Sequence, residues 1–254
     1  MERKSKSKER EKSTKIILIT GSKGRVGQVL TKSLAENFKI IEMDIRAKGD
    51  DKEEFNTDIS NVKSVDETFK KIGKIDYIIH LAANPNENAP WEEILQNNIQ
   101  STKNIYEAAR KNGIKKIIFA SSTHLFGGYK GYPQTSPLNK PIKPGDYPRP
   151  DSDYGTSKGF GELLARQYYD LYGIKTICIR IGAFSNDPMA TGIYEKLWLS
   201  PRDATQVFRK AIETKISFGV YFATSDNKGG IFDISTTKKE LGYNPVDGIG
   251  KTIK

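Results

Sequence analysis

An apolar strand that runs through a glycine-rich turn into a helix is the feature that most restricts how this chain can fold. Residues 14–20 are β-branched and apolar, and Gly21, Gly24 and Gly27 follow them before a helical stretch that extends to about residue 36. Glycines permit a tight turn and a close approach of the backbone to a ligand, and the helix N-terminus offers unpaired N–H groups. The segment predicts a pyrophosphate site, with a plain glycine-rich turn as the alternative.

An acidic residue follows the second predicted strand, residues 38–43. Asp44 lies about 20 residues beyond the glycines, where a carboxylate bonds the ribose hydroxyls of NAD and repels the 2′-phosphate of NADP. Arg46 lies close by and would attract that phosphate, so Asp44 favours NAD without excluding NADP. Asp58 and Ile59 are predicted to edge the adenine pocket, although Asp58 is equally suited to cap a helix over residues 61–72.

Strands and helices alternate along the chain. Further strands are predicted over residues 75–81 and 114–121, with a long amphipathic helix over residues 91–112 between them. This order predicts an α/β fold with a doubly wound parallel sheet, the Rossmann fold. Ligands of such sheets bind at the carboxyl ends of the strands, and those ends carry the glycine turn, Asp44, Ala82, Ala83 and Ser122.

The rest of the chain is more irregular. Residues 127–150 and 183–192 show no periodicity, whereas residues 154–171 predict a helix, 174–181 a strand, 200–213 a helix and 217–223 a strand. We therefore expect a disordered basic tail (residues 1–13), an NAD-binding Rossmann domain (14–182) and a small substrate-binding portion (183–254) packed on it.

A tyrosine and a lysine, Tyr154 and Lys158, lie four positions apart in a predicted helix, which puts them on one face. A nearby ammonium favours the phenolate and lowers the pKa of a tyrosine, which makes it a base for an alcohol proton. This spacing is frequent by chance on solvated helix faces. It indicates a catalytic pair only if the chain also supplies a cofactor site and a third polar group.

Charge and cysteine content restrict the setting of the protein. The net charge is +10, part of it in the N-terminal tail, where a solubilising role is favoured over binding to nucleic acid. Cys178, the single cysteine, lies in an apolar run and is predicted to be a buried thiol. No apolar run approaches the roughly 20 residues that span a bilayer. We expect a cytoplasmic protein with no membrane contact and no metal.

These motifs together resemble the extended short-chain dehydrogenase/reductase superfamily. Residues 119–127 resemble its strand-end motif, which places the catalytic hydroxyl on Ser122. The segments 120–124, 133–135, 154–162 and 180–182 resemble uronate dehydrogenases, which oxidise the C1 hydroxyl of a cyclic uronate with NAD. The chain departs from that pattern at Thr123, where the family carries Asn, and in residues 183–194, which lack the family's carboxylate-binding arginine. A neutral aldose therefore joins the uronates as a candidate substrate.

The resemblance implies a complete site. Tyr154 takes the hydroxyl proton, Lys158 lowers its pKa and holds the nicotinamide ribose, and Ser122 bonds the substrate oxygen. The residues expected at the cofactor are Gly21, Lys23, Gly24, Arg25, Val26, Gly27, Asp44, Asp58, Ile59, Leu81, Ala82, Ala83, Asn98, Tyr154, Lys158 and Ile181. Those expected at the substrate are Asn84, Ser122, Thr123, His124, Tyr154 and Ala183. For Asn98, a helix bend or a structural hydrogen bond is an equal alternative.

Two other functions remain open from the sequence. A nucleotide-sugar epimerase uses the same scaffold, but it needs a larger C-terminal lobe, and Thr123 and His124 stand where dehydratases carry an Asp-Glu pair. A non-catalytic NAD-binding regulator would have no need of Ser122, Tyr154 and Lys158. The predicted partners are a small sugar or uronate and further copies of the chain in a homo-oligomer.

Overall fold

The computed structural model describes residues 14–49, 51–131, 140–188 and 192–250. The N-terminal half contains β1 (Ile16–Thr20), α1 (Arg25–Leu34), β2 (Lys39–Asp44), β3 (Glu54–Asn56), α2 (Val62–Ile72), β4 (Tyr77–His80), α3 (Trp91–Ile94), a π-helical segment (Leu95–Gln100), α4 (Ser101–Lys111) and β5 (Lys116–Ser122). A 3₁₀ turn (Thr123–Phe126) then leads to α5 (Gly128–Gly131), α6 (Asp153–Tyr172), β6 (Lys175–Ile181), β7 (Ala183–Phe184), α7 (Ile193–Leu197), β8 (Trp198–Leu199), α8 (Pro201–Glu213), β9 (Phe218–Ala223) and α9 (Ser235–Leu241).

Seven strands form one parallel sheet in the order β3-β2-β1-β4-β5-β6-β9. The order reverses between β1 and β4, which is the position where ligands bind in doubly wound sheets. The predicted fold class is therefore confirmed. Helices cover the central parallel strands on both faces of the sheet, and this is why these strands are apolar runs in the sequence.

The two faces of the sheet carry separate apolar cores. One core packs α1 and α8 against the sheet, and the other packs α2, α4 and α6 against the opposite face. Cys178 is buried, as predicted. A third, smaller cluster around Phe126 and Phe222 attaches the 3₁₀ turn to the C-terminal part of the chain.

The helix predicted over residues 91–112 is not continuous. It begins as α3, passes through the π-helical segment at residues 95–100, and resumes as α4. Gly113 has φ = +69°, a conformation that favours glycine, and follows the end of α4. The prediction was right about the end of the helix and wrong about its regularity.

The C-terminal portion is part of the same sheet. β9 pairs with β6, and α8 packs against α1, so the boundary expected at residue 182 does not coincide with a break in the sheet. Ser200 caps α8 by accepting a hydrogen bond from the Asp203 backbone N–H, with Pro201 as its first residue, as the sequence predicted. The tail at residues 1–13 lies outside the described residues, as do residues 133–135 and 189–191. Among the helices that are described, none is long and apolar enough to cross a membrane.

Candidate active site

The glycine turn between β1 and α1 is so closely packed that two of its glycines have no room for a Cβ. Gly21 has φ = +73°, and a Cβ on it would lie 2.6 Å from the backbone nitrogen of Ala82. A Cβ on Gly27 would lie 2.2 Å from the carbonyl oxygen of Gly21. The turn therefore brings the N-terminus of α1 against the end of β4 and exposes backbone at the sheet edge, which is what a pyrophosphate needs.

A cavity of about 500 Å³ opens at the carboxyl ends of β1, β2 and β4. Polar backbone, the Asp44 carboxylate and small side chains line it, and these suit the phosphates, ribose and adenine of a dinucleotide. The predicted cofactor residues that line it are Gly21, Gly24, Arg25, Asp44, Asp58, Ile59, Leu81, Ala82 and Ala83, together with the predicted substrate residue Asn84.

Asp44 is held in place by the turn that it faces. One carboxylate oxygen accepts a hydrogen bond from the Lys23 backbone N–H at 3.0 Å, and the other accepts from the Arg46 backbone N–H at 2.9 Å. The exposed Arg46 side chain also lies 3.3 Å from Asp44. The carboxylate is thus fixed at the cavity wall, as a ribose-binding acid requires.

The side chain of Lys23, a predicted cofactor residue, is directed away from the cavity. Its ammonium pairs with Glu42 at 2.9 Å and with Glu54 at 3.1 Å, on neighbouring strands β2 and β3. Two carboxylates outside the cavity therefore hold this side chain, and the part of Lys23 that faces the cofactor side is its backbone, whose N–H donates to Asp44. That Lys23 binds the cofactor stays a prediction. Val26 is partly buried and packs against the core rather than lining the cavity.

Asn98 and Asp58 take different roles from each other. The buried Asn98 side chain accepts from the Asn84 backbone N–H at 2.7 Å and donates to the Asn84 carbonyl at 3.1 Å and to Ser157 at 3.0 Å. Asn98 therefore holds the cavity wall in position and does not line the cavity. This is the structural hydrogen-bonding role predicted as the alternative. Asn61 caps α2, so the capping role proposed for Asp58 is wrong.

The predicted catalytic hydroxyls meet at the carboxyl end of β5. Tyr154, near the start of α6, lies beside Ser122, the last residue of β5, whose hydroxyl accepts a hydrogen bond from the His124 backbone N–H at 3.2 Å. Burial raises the pKa of Tyr154, the neighbouring Ser122 hydroxyl opposes that rise, and the nearby Asp151 charge adds to it. Ser152 caps α6 by accepting from the Gly155 backbone N–H, which fixes the start of the helix beside the strand end.

Lys158 is buried one turn beyond Tyr154. Its ammonium donates to the Ala120 carbonyl at 2.9 Å and lies 5.6 Å from the centre of the Tyr154 ring. Burial lowers the pKa of Lys158 to about 8. The expected lowering of the Tyr154 pKa is thus not present in this arrangement, because Lys158 is bound to a backbone carbonyl and burial dominates at the phenol.

The other predicted residues surround this pair. Thr123 is buried, His124 is partly exposed, and the His124 and Tyr154 rings meet edge to face with centres 5.4 Å apart. Ile181 pairs with Ser122 and Ala223 in the sheet, and Ala183 begins β7 and packs against the third core cluster.

A buried ion pair beneath the site was missed by sequence reasoning. Arg180 on β6 makes two hydrogen bonds to Glu162 on α6, at 2.8 and 2.7 Å, and a third to the Pro144 carbonyl at 2.8 Å. Ser121 donates to the same glutamate at 2.6 Å. Sequence showed only an arginine in an apolar strand, which is a signal of a buried partner because unpaired charges are rarely buried.

His80 is a second missed residue. It lies at the end of β4 between two threonines, with Nδ1 2.7 Å from the Thr20 hydroxyl and Nε2 3.2 Å from the Thr102 hydroxyl. Burial lowers the pKa of His80 to about 3, and the positive charge of Lys158 adds to this effect. The neutral ring therefore joins β1, β4 and α4 under the cavity.

The fold and the site together define a dinucleotide-binding Rossmann domain that carries a serine, a tyrosine and a lysine at one strand end. A model of the "NAD dependent epimerase/dehydratase family" matches residues 17–185. The chain belongs to this family, and NAD is its cofactor, as predicted.

Relatives of the chain include sugar and uronate dehydrogenases. The NAD-dependent glucose-6-phosphate dehydrogenase of Haloferax volcanii is 31% identical over 243 residues, covering 91% of this chain and 93% of the relative. The uronate dehydrogenase of Pseudomonas syringae pv. tomato is 36% identical over 237 residues, covering 91% and 82%. The solved structure of Agrobacterium tumefaciens uronate dehydrogenase, a tyrosine-to-alanine variant complexed with NAD, has a TM-score of 0.81 at 31% identity and covers 93% of this chain and 86% of that one.

Proposed function

We propose that this protein is an NAD-dependent dehydrogenase that oxidises the C1 hydroxyl of a free sugar or uronic acid. The observation that carries the proposal is the convergence of Tyr154, Ser122 and the buried Lys158 at the strand end beside the dinucleotide cavity. Two hydroxyl groups that converge beside a hydride acceptor are the arrangement needed to hold an alcohol and remove its proton. The sugar and uronate substrates named for the relatives support the same class.

The chain's own residues move the proton. Ser122 and Tyr154 both hydrogen-bond the substrate oxygen, and the Tyr154 phenolate takes the hydroxyl proton as the C–O bond becomes a carbonyl. NAD, when bound, accepts the hydride that leaves the same carbon. Because burial raises the pKa of Tyr154, the base form needs added stabilisation, and the buried ammonium of Lys158 on the same helix is placed to supply it.

The substrate's charge is the open part of the proposal. Residues 183–194 contain no arginine, and a buried carboxylate without a cationic partner is costly. Two carboxylates, Glu87 and Asp151, lie near His124 at distances of 3.5 and 3.0 Å. A neutral aldose and a uronate therefore both belong in the first test.

A substrate panel with NAD tests the proposal. Reduced cofactor is followed by absorbance with glucuronate, galacturonate, neutral aldoses and a nucleotide sugar, with the Tyr154→Phe variant as control. We expect turnover of at least one free sugar or uronate by the wild type only. Conversion of the nucleotide sugar without reduction of NAD by any free sugar would instead indicate the epimerase. Light scattering of the purified chain tests the predicted homo-oligomer.

A further inference from the structure

The ring of His124 lies between a carboxylate and the tyrosine of the site. Its Nδ1 is 3.0 Å from both carboxylate oxygens of Asp151, and its ring centre is 5.4 Å from that of Tyr154. Asp151 comes from the segment before α6, whereas His124 comes from the 3₁₀ turn after β5. The pair therefore joins the two elements that carry Ser122 and Tyr154.

Gly127 makes the space that Asp151 occupies, and Gly155 lets α6 start close to His124. A Cβ on Gly127 would lie 1.6 Å from one carboxylate oxygen of Asp151, and a Cβ on Gly155 would lie 2.6 Å from the His124 carbonyl oxygen. The Asp151 backbone N–H also donates to the His124 carbonyl at 3.3 Å, and the Ser152 hydroxyl donates to the Asp151 carboxylate at 2.9 Å. The carboxylate is thus held against the ring by backbone as well as side-chain contacts.

A carboxylate that faces one ring nitrogen decides which nitrogen carries the proton. An ionised carboxylate only accepts hydrogen bonds, so Nδ1 is the nitrogen that donates, and in the neutral ring Nε2 is left with a free lone pair. Within the described part of the chain, Nε2 of His124 has no hydrogen-bond partner. A partly exposed acceptor therefore lies beside the proposed base.

We propose that Asp151 is a positioning residue that holds His124 in the Nδ1–H tautomer, so that Nε2 accepts a hydrogen bond from a hydroxyl of the sugar. This inference rests on the proposed function, because it concerns the substrate of the same site. Asp151 touches neither the substrate nor the cofactor in this scheme, and it acts through His124 alone. Sugars are suited to such an acceptor because their neighbouring hydroxyls are donors.

Steady-state kinetics of four variants tests this role: Asp151→Ala, Asp151→Asn, His124→Ala and the double variant Asp151→Ala/His124→Ala. We expect Asp151→Ala to lower kcat/KM roughly tenfold to a hundredfold, mainly by raising KM for the sugar, as for a lost hydrogen bond to a charged group. Asp151→Asn keeps an acceptor for Nδ1–H and should retain most of the activity. The double variant should be no worse than His124→Ala, because the two residues act as one unit.

Glu87→Gln is the matched control. Glu87 is a half-exposed carboxylate 3.5 Å from the same nitrogen, and its replacement should change kcat/KM less than twofold or so, as for an exposed pair. Equal losses from Asp151→Ala and Asp151→Asn, or an additional loss from Asp151→Ala in the His124→Ala background, would overturn the inference.

Nitrogen NMR of His124 supplies a readout that needs no substrate. The Nδ1–H tautomer is expected in the wild type and in Asp151→Asn at a pH where the ring is neutral, and an Nε2–H ring in the wild type would refute the role of Asp151 even if the kinetic variants failed to fold. If the wild type oxidises no free sugar while the ring is the Nδ1–H tautomer, the proposed function fails and the pairing stands.

Discussion

The ammonium of Lys158 is bound to the carbonyl oxygen of Ala120 at 2.9 Å. This bond holds the lysine one helical turn from Tyr154, with its nitrogen 5.6 Å from the centre of the phenol ring. Burial meanwhile lowers the pKa of the lysine to about 8 and raises that of the tyrosine. The two side chains therefore lie on one face of the helix, but the ammonium of Lys158 is bonded to a backbone carbonyl and not to the phenol of Tyr154.

Removing the Tyr154 hydroxyl separates proton transfer from cofactor binding. Tyr154→Phe should lower kcat by roughly 10²–10⁴-fold, the usual contribution of a positioned proton-transfer group. NAD binding, measured by calorimetry, should stay within a few-fold of the wild type, since the phenol does not line the dinucleotide cavity. Full activity in the variant would remove Tyr154 from the mechanism.

Asp44 should control the choice between NAD and NADP. Asp44→Ser removes the negative charge beside the ribose, so kcat/KM for NAD should fall while that for NADP rises, with Arg46 available to attract the 2′-phosphate. The kcat/KM ratio of the two cofactors is the measurement. Arg46→Ala in the Asp44→Ser background is the control and should reverse part of the gain. An unchanged ratio in Asp44→Ser would show that the cofactor is selected elsewhere.

Gly21 and Gly24 offer a matched pair in the turn. Gly21→Ala puts a Cβ 2.6 Å from the Ala82 backbone at φ = +73°, and Gly24→Ala puts one 3.2 Å from the Gly21 carbonyl at φ = −74°. We expect Gly21→Ala to lower the free energy of unfolding by more than about 2 kcal/mol, since the left-handed conformation alone costs roughly 1–2 kcal/mol. Gly24→Ala should cost about 1 kcal/mol or less. Urea unfolding measures the free energy of unfolding of both variants. Equal decreases in the two variants would contradict the packing described for the turn.

Acid should destabilise the protein through His80. Its pKa is about 3 in the folded protein and 6.5 in the unfolded chain, so between these values the unfolded state binds the extra proton. The stability that depends on the neutral ring is complete above pH 6.5 and is lost as pH falls toward 3, by up to about 1.4 kcal/mol per pH unit. His80→Gln, although less stable at neutral pH, should show a shallower loss on acidification in denaturant titrations. Parallel slopes for the two proteins would refute this.

The Arg180–Glu162 pair should contribute more to folding than the exposed pair on the same helix. Glu162→Gln leaves a buried guanidinium without a counter-charge, and breaking a buried pair in this way costs about 3–5 kcal/mol. Asp170→Asn, which breaks the exposed pair with Arg166, should cost no more than about 0.5 kcal/mol. Urea unfolding curves provide both values, and a loss below about 1 kcal/mol for Glu162→Gln would show that the pair is dispensable.

The sheet and the cofactor cavity were predictable because local patterns determine them. Parallel strands end at a common edge, so Gly21, Asp44 and Ala82 had to meet once each was recognised as following a strand. Tyr154 and Ser122 come together for a related reason, since α6 starts where β5 ends.

The remaining contacts join residues that are remote in sequence, and no local pattern predicts them. The Lys23 side chain lies outside the cavity because Glu42 and Glu54 stand opposite each other in the pairing of β2 with β3, a register that no local pattern specifies. The partners of Arg180 and His124 likewise come from segments remote in sequence. Asn98, in the π-helical segment, likewise bonds Asn84 and Ser157, to which no local pattern links it.

That segment makes the length of the chain between α3 and α4 a property of the active site. A π-helical turn holds about one residue more than an α-helical turn, so deleting one residue from 95–100 would leave a regular α-helix with α3 and α4 near their present orientation. The deletion would instead move Asn98, which bonds both Asn84 and Ser157. Insertions and deletions should therefore be far less tolerated here than substitutions of exposed residues such as Gln96.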